Sequence, residues 1–203
     1  MKRVIFSTIA VLLSIASANA QEETSHLAVQ VGAGFTEGVG RTGTYTDIGW
    51  NVSTGVGYNF NSRVGALIDV SVNNMEMNLA TLSGPGIPNG NFTAFSATLD
   101  PIVHLVPDQN FDVYITGGGG EFRLAQSFQQ PIGAASNFAP SLVLFNSSGM
   151  SYSINKPGVD IGIGISMGSK WRGKFYAEAK YDHVFLNGFL HTDFLPVTLG
   201  YRW

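Results

Sequence analysis

The sequence predicts an all-β fold, an eight-stranded antiparallel up-and-down transmembrane β-barrel with short periplasmic turns and longer extracellular loops. Three observations lead there. Runs along the chain alternate with a period of two, as in VDIGIGISMG, where Val159, Ile161, Ile163, Ile165 and Met167 oppose Asp160, Gly162, Gly164, Ser166 and Gly168; that period is a strand with unlike faces. Only 12% of the residues are charged, about half the roughly 25% usual for a soluble domain. The connections alternate between short and long, which places tight turns on one rim and loops on the other, and an even strand number returns both termini to the same side.

The first element lies outside the barrel. Lys2 and Arg3 precede an apolar run over residues 4–15, and Ala18-Asn19-Ala20 supplies the small residues of a cleavage site. Residues 1–20 are therefore expected to be a secretory signal peptide and residues 21–203 the barrel domain. The run is shorter than the ~20 residues a membrane-spanning helix needs, and no later stretch reaches ~18 consecutive apolar residues. Such a chain can cross a bilayer only as a closed barrel, in which every strand finds backbone partners. Removing Lys2 and Arg3 leaves 9 basic residues against 14 acidic ones, a formal charge of 9 − 14 = −5, which opposes a nucleic-acid partner. The lack of cysteine excludes disulfides, thiolate metal sites and a lipid-modified N-terminus.

Eight strands follow. Residues 27–35 form the first. In 48–60, Ile48, Trp50, Val52, Thr54, Val56, Tyr58 and Phe60 oppose Gly49, Asn51, Ser53, Gly55, Gly57 and Asn59. In 64–73, Val64, Ala66, Ile68, Val70 and Val72 oppose Gly65, Leu67, Asp69, Ser71 and Asn73. Residues 92–105 make the fourth strand; Pro101 falls where a ladder donor is wanted, implying a bulge or a local break. Residues 111–122 and 159–168 are the fifth and sixth. In the seventh, Phe175, Ala177, Ala179 and Tyr181 oppose Tyr176, Glu178, Lys180 and Asp182, and in the last Leu195, Val197, Leu199, Tyr201 and Trp203 oppose Pro196, Thr198, Gly200 and Arg202. Residues 59–63, 106–110 and 169–173 are the tight turns, and 36–47, 74–91, 123–156 and 186–194 the long loops.

Charge decides which face meets lipid. No Asp, Glu, Lys or Arg is expected on the apolar face, whereas Asp69, Asp100, Asp112, Asp160, Glu178, Lys180, Asp182 and Arg202 fall on the opposite one. A basic group facing lipid near the midplane costs ~2–4 kcal/mol, so the apolar face is the outer one. The lumen of an eight-stranded barrel is barely wide enough for its own side chains, which accounts for Gly55, Gly57, Gly162 and Gly164 on the inner face. Two aromatic girdles are expected at the interfaces: Phe35, Trp50, Phe92, Phe122 and Phe185 toward the long loops, and Tyr58, Phe60, Phe111, Trp171, Tyr201 and Trp203 toward the short turns.

These features resemble the small eight-stranded outer-membrane β-barrel proteins, a family that includes the opacity-type surface proteins and the membrane domain of outer membrane protein A. FYAEAKYDHVF is similar to the family's penultimate strand and FLPVTLGYRW to its terminal strand. The resemblance implies residence in the outer membrane among its lipids and lipopolysaccharide. It also implies an assembly signal at Leu199, Tyr201 and Trp203 that the barrel-assembly machinery reads, with Trp203 standing where Phe is commonest.

The chemistry the sequence offers is sparse. KYDHVFLNG resembles the deacylase branch of these barrels, with His183 facing outward, but the nucleophile two residues on is replaced by Phe185 and nucleophilic catalysis needs a hydroxyl beside the base. His26, His104, His183 and His191 lack metal-site spacing, so no metal or cofactor is expected. Gly117 to Gly120 lacks the Lys-Ser/Thr and the helix that a phosphate loop uses. The inward charges are expected to pair into an ionic core without a greasy interior, Lys180 with Glu178, Asp182 and Asp160, and Arg202 near Asp112. The segment 124–156 is uncharged from Ala125 to Asn155 and carries Phe128, Phe138, Leu142, Val143, Leu144 and Phe145. It is read either as a cover over the mouth that meets lipid or a surface ligand, or as an extended hairpin. The reading is a monomeric, non-enzymatic outer-membrane barrel with a structural or surface-interaction role. Its competitors are a lipid A-modifying enzyme, a narrow cation channel and a soluble periplasmic barrel that binds an apolar ligand.

Overall fold

The computed structural model describes residues 26–77, 90–106, 110–128, 151–168, 173–186 and 190–203. The strands are β1 Leu27–Val39, β2 Gly49–Asn59, β3 Val64–Met77, β4 Gly90–His104, β5 Phe111–Phe128, β6 Ser151–Gly168, β7 Lys174–Phe185 and β8 His191–Arg202, with one short helix, α1, at Arg41–Tyr45. They pair antiparallel in chain order and close β8 onto β1. The seam is tied to its last residue, the Trp203 amide donating to the Val29 carbonyl at 2.9 Å.

The register fixes the geometry. Starting at Val29 and stepping across the ladder gives Val56, Ile68, Leu99, Gly119, Val159, His183 and Asp193, and the ring returns to β1 at Val39. The displacement is 39 − 29 = 10 residues, a stagger that tilts eight strands by roughly 40° and leaves an interior just wide enough for side chains. At Pro101 the β4–β5 pairing lapses between Leu99↔Gly119 and Ile102↔Thr116 and resumes in the same register. This is a local break, not a bulge.

Alternation then sorts the faces as charge requires. Ile161 is 66% exposed, Ile163 56% and Leu199 63%, while Asp69, Asp100, Asp112, Asp160, Glu178, Lys180 and Asp182 are buried in the lumen. Small inner residues make room for large ones: a side chain at Gly164 would collide with the Tyr114 ring, and one at Gly158 with Phe122. The β2–β3 turn closes on Asn61, whose Oδ1 accepts from the Arg63 and Val64 amides at 2.8 and 2.9 Å. Gly40 enters α1 with φ of 58°, a left-handed conformation that favours glycine.

The strands run further toward the long loops than alternation alone indicates. β1 continues to Val39, β3 to Met77, β5 to Phe128, and β6 begins at Ser151, so 124–128 and 151–156 are strand, paired as in Leu124↔Ile154. Residues 129–150, with Phe138 and Leu142 to Phe145, lie outside the described residues, as does Trp171. Toward this rim the strands carry charge on the outward face at Glu37, Glu76, Glu121, Arg123 and Asp193. Glu121 lies within the segment expected to be charge-free outside, which corrects that expectation for the upper rim.

Candidate functional site

The lumen has two layers of opposite character. The layer nearer the short turns is ionic and centred on Lys180, which β7 sends across the bore. Its Nζ donates to Asp100 Oδ2 at 2.6 Å and lies 3.5 Å from Asp160 and 3.7 Å from Asp69. Thr98 donates to the same Asp100 oxygen at 3.1 Å. Gln30 connects this group to the seam: its Nε2 donates to Asp69 at 3.3 Å, and its Oε1 accepts from Arg202 Nε and Nη2 at 3.0 and 2.7 Å. The Arg202 guanidinium lies over the rings of Tyr114 and Tyr176, 4.8 and 5.3 Å from their centroids, and the Tyr114 hydroxyl donates to Glu178 at 2.9 Å. Asp182 is buried two residues beyond Lys180 on the same face.

Seven of the eight expected lumen charges are thus grouped within one zone of the bore, and one stands apart. Asp112 does not meet Arg202. It pairs with His104 across the β4–β5 turn, Nδ1 to Oδ2 at 2.7 Å, and accepts from Ser166 at 3.4 Å. Arg202 is drawn instead to Gln30 and the two tyrosines, where a planar cation stacks and donates in a fork at once.

The upper layer is apolar. Met75, Met77, Phe92, Ala94, Phe122, Leu124, Val184 and Phe194 form one buried cluster, with Tyr45, Ile154 and Leu186 against it. Phe122 and Phe194 meet edge to face, centroids 6.2 Å apart. Phe92 and Phe122, expected in the membrane girdle, are inside this cap, and the interior is therefore not free of grease. Phe35, Trp50 and Phe185 do face outward, as do Tyr58, Phe60, Phe111 and Trp203. Leu199, Tyr201 and Trp203, expected as the assembly signal, stand on the outer face at the opposite rim: Leu199 is exposed, and Tyr201 stacks edge-on with both Phe175 and Trp203 at 5.0 and 4.9 Å.

Two sequence features that the reading set aside as sites are placed by the geometry. Gly117 to Gly120 is the middle of β5, paired with residues 158–161, and a side chain at Gly118 would meet the Leu99 carbonyl and the Asp100 carboxylate; it is wall, not a phosphate cradle. His183 faces outward and holds Asp193, which was not anticipated because it falls in a segment read as loop: Nδ1 to Oδ1 is 2.6 Å, and His191 Nε2 meets Oδ2 of the same carboxylate at 3.2 Å. Phe185 lies edge-on to the His183 ring at 4.8 Å, where a nucleophilic hydroxyl would be needed.

The family model for the outer membrane protein beta-barrel domain matches residues 7–202. The chain belongs to that family. The match begins inside the segment read as a signal peptide. Among solved structures it is similar to the Neisserial surface protein A, at 14% identity and a TM-score of 0.62, covering 89% of this chain and 98% of that one. It is also similar to Ail, the attachment invasion locus protein of Yersinia pestis, at 16% identity and a TM-score of 0.47 over 89% and 100% of the two chains. A third likeness is to the N-terminal barrel domain of Pseudomonas aeruginosa OprF, at 14% identity and 0.46 over 88% and 98%. No curated protein matches the sequence. The protein is an integral outer-membrane β-barrel, so its outward face meets lipid and its long-loop rim faces the cell exterior.

Proposed function

We propose that this outer-membrane barrel is sealed and non-catalytic and has a structural or surface-interaction role. The observation that carries the reading is the filled bore: an apolar cap of Phe122, Phe194, Met75 and their neighbours stands over an ionic layer in which Lys180 reaches Asp100 across the lumen. A hydrophobic constriction resists wetting, and the lumen of an eight-stranded barrel offers little room for water around such a plug. In planar bilayers the purified mature chain is expected to give no steady conductance. A steady cation-selective current that is lost in Lys180→Met or Asp69→Asn would overturn the reading in favour of a narrow channel. Lipid A mass spectra are expected to be unchanged on overexpression, since Phe185 occupies the nucleophile position beside His183.

The same reading assigns residues 1–20 to export and Leu199, Tyr201 and Trp203 to recognition by the barrel-assembly machinery. Closure of β8 onto β1 leaves no sheet edge for a second chain, which supports a monomer set among outer-membrane lipids and lipopolysaccharide. Contact with a surface ligand is assigned to the segment 124–156, whose uncharged, Phe- and Leu-bearing sequence suits such a contact. Deletion of 137–147 is expected to abolish surface binding while leaving heat-modifiable gel mobility intact, and binding that survives the deletion would remove the segment from that role.

A further inference from the structure

β7 and β8 bring two histidines onto one carboxylate. In their register His183 stands opposite Asp193 and Phe185 opposite His191, which makes the two histidines diagonal neighbours on the outer face, within reach of each other. Local spacing hides the pair, because its members sit on different strands. The strands are tied beside the cluster, where the Leu186 amide donates to the Leu190 carbonyl at 2.9 Å. Asp193 is only 7% exposed and its amide donates to Thr42 Oγ1 at 3.1 Å, so the carboxylate is fixed. The His183 and His191 side chains remain 28% and 49% exposed.

His183 Nδ1 lies 2.6 Å from one Asp193 oxygen and His191 Nε2 lies 3.2 Å from the other. A carboxylate only accepts hydrogen bonds, and a neutral imidazole has a single N–H to give. The contact with Asp193 therefore leaves a lone pair on the other nitrogen of each ring, Nε2 of His183 and Nδ1 of His191. A carboxylate behind an imidazole is the arrangement that sets the tautomer and raises the basicity of a metal-ligating histidine. The two ring centroids are 5.0 Å apart. Two imidazoles on one zinc ion, with bonds of ~2.0–2.1 Å at a tetrahedral angle, have centroids roughly 5 Å apart. Among the described residues no three side chains form a metal cage; the arrangement here is two nitrogen ligands with a shared carboxylate behind them and the remaining positions left to water. We propose that His183 and His191 bind one divalent transition-metal ion of the zinc class at the long-loop rim, with Asp193 as the positioning residue. Imidazole nitrogen suits zinc, copper and nickel, whereas magnesium and calcium prefer oxygen. The proposal is independent of whether the bore conducts.

Isothermal titration calorimetry of the untagged chain, extracted from outer membranes in mild detergent and stripped of metal with a chelator, measures zinc binding. The wild type and His26→Ala, which alters a histidine stacked on Tyr58 at the opposite rim, are expected to bind one zinc ion with the same affinity, and excess calcium should not displace it. His183→Ala and His191→Ala each leave a single imidazole and are expected to weaken binding by at least about tenfold. Asp193→Asn keeps the size of the side chain, but its amide donates where the carboxylate accepted. One ring must then turn a lone pair inward and carry its hydrogen outward, and affinity should fall by about 10–100-fold. Folded-versus-boiled gel mobility verifies that each barrel is intact, so a purely structural role would leave the zinc affinity of the folded variants unchanged. His191→Ala, at the most exposed of the three positions, carries the test if another variant does not fold. A wild type that binds no zinc, an unchanged affinity in His191→Ala or Asp193→Asn, or displacement by calcium overturns the proposal. None of these results bears on conductance, so the sealed-bore reading is judged separately.

Discussion

The two ends of the barrel obey opposite rules of polarity. Through the lower part, the outside is Ile161, Ile163, Ile165 and Leu199 while the inside is Asp69, Asp100, Glu178 and Lys180. Toward the extracellular rim the same strands invert. Met75, Glu76 and Met77 run in, out, in; so do Phe122, Arg123 and Leu124; and Asp193 faces out beside inward Phe194. The inversion follows from the medium. Where the outer face is in hydrocarbon, burying apolar side chains inside gains nothing relative to leaving them in lipid, and the lumen is held by paired charge. Where the strands rise into water, the hydrophobic effect returns and the barrel closes over an oily core, as a soluble barrel does. The crossover falls between the row of Tyr181 and the row of His183 and Asp193.

The comparison is broken most sharply at Lys180. Lys180→Met leaves the carboxylates of Asp69, Asp100 and Asp160 buried without their cation, and is expected to cost about 3–5 kcal/mol. The urea midpoint of the folded gel band measures it. Adding Asp100→Asn to that variant should recover part of the loss, because removing both partners of a buried pair is milder than removing one. No recovery would mean that Lys180 acts by packing instead of charge. Next in size is Phe194→Ala in the cap, about 3 kcal/mol, from the lost transfer energy and the cavity it leaves. Conductance should stay absent in this variant, because the ionic layer below still fills the bore; a current would show that the cap alone is the seal. Arg202→Lys is expected to lose about 1–2 kcal/mol, since an ammonium can neither donate in a fork to Gln30 nor stack between Tyr114 and Tyr176 as a plane.

Much of this was legible in the sequence because period-two alternation and charge both report the face of a strand. Asp69, Asp160 and Lys180 are inside as parity requires, and the eight strands occur in the expected order. Phe92 and Phe122 were misplaced for a definite reason. An aromatic at a strand end near the rim fits both an interfacial girdle and a lumen cap, and composition does not separate them. Parity does: Phe92 shares the face of Asp100 on β4, and Phe122 that of Asp112 on β5. The strand extensions were hidden because, above the membrane, the outward face turns polar and the alternation that signals a strand fades while the backbone ladder continues. Asp193 disappeared into a supposed loop for this reason. The tie from Arg202 to Gln30 crosses the seam between the chain ends, and no local pattern reveals it.

The smallest effect tests where the inversion falls. Glu121 is exposed on β5 directly opposite Ala97 and Pro157, on the outer face just beside inward Phe122. If this level is already at the water interface, Glu121→Lys should change stability by less than about 1 kcal/mol, against the ~2–4 kcal/mol a lysine costs on the lipid face nearer the midplane, where Ile163 serves as the reference position. The two variants place a lysine at different heights of the same wall, so the ratio of their effects in unfolding from lipid vesicles locates the boundary. A penalty at Glu121 as large as that at Ile163 would place the apolar cap within the hydrocarbon layer. The cap could not then be explained by water around the rim, and its stability would have to come from close packing inside the lumen alone.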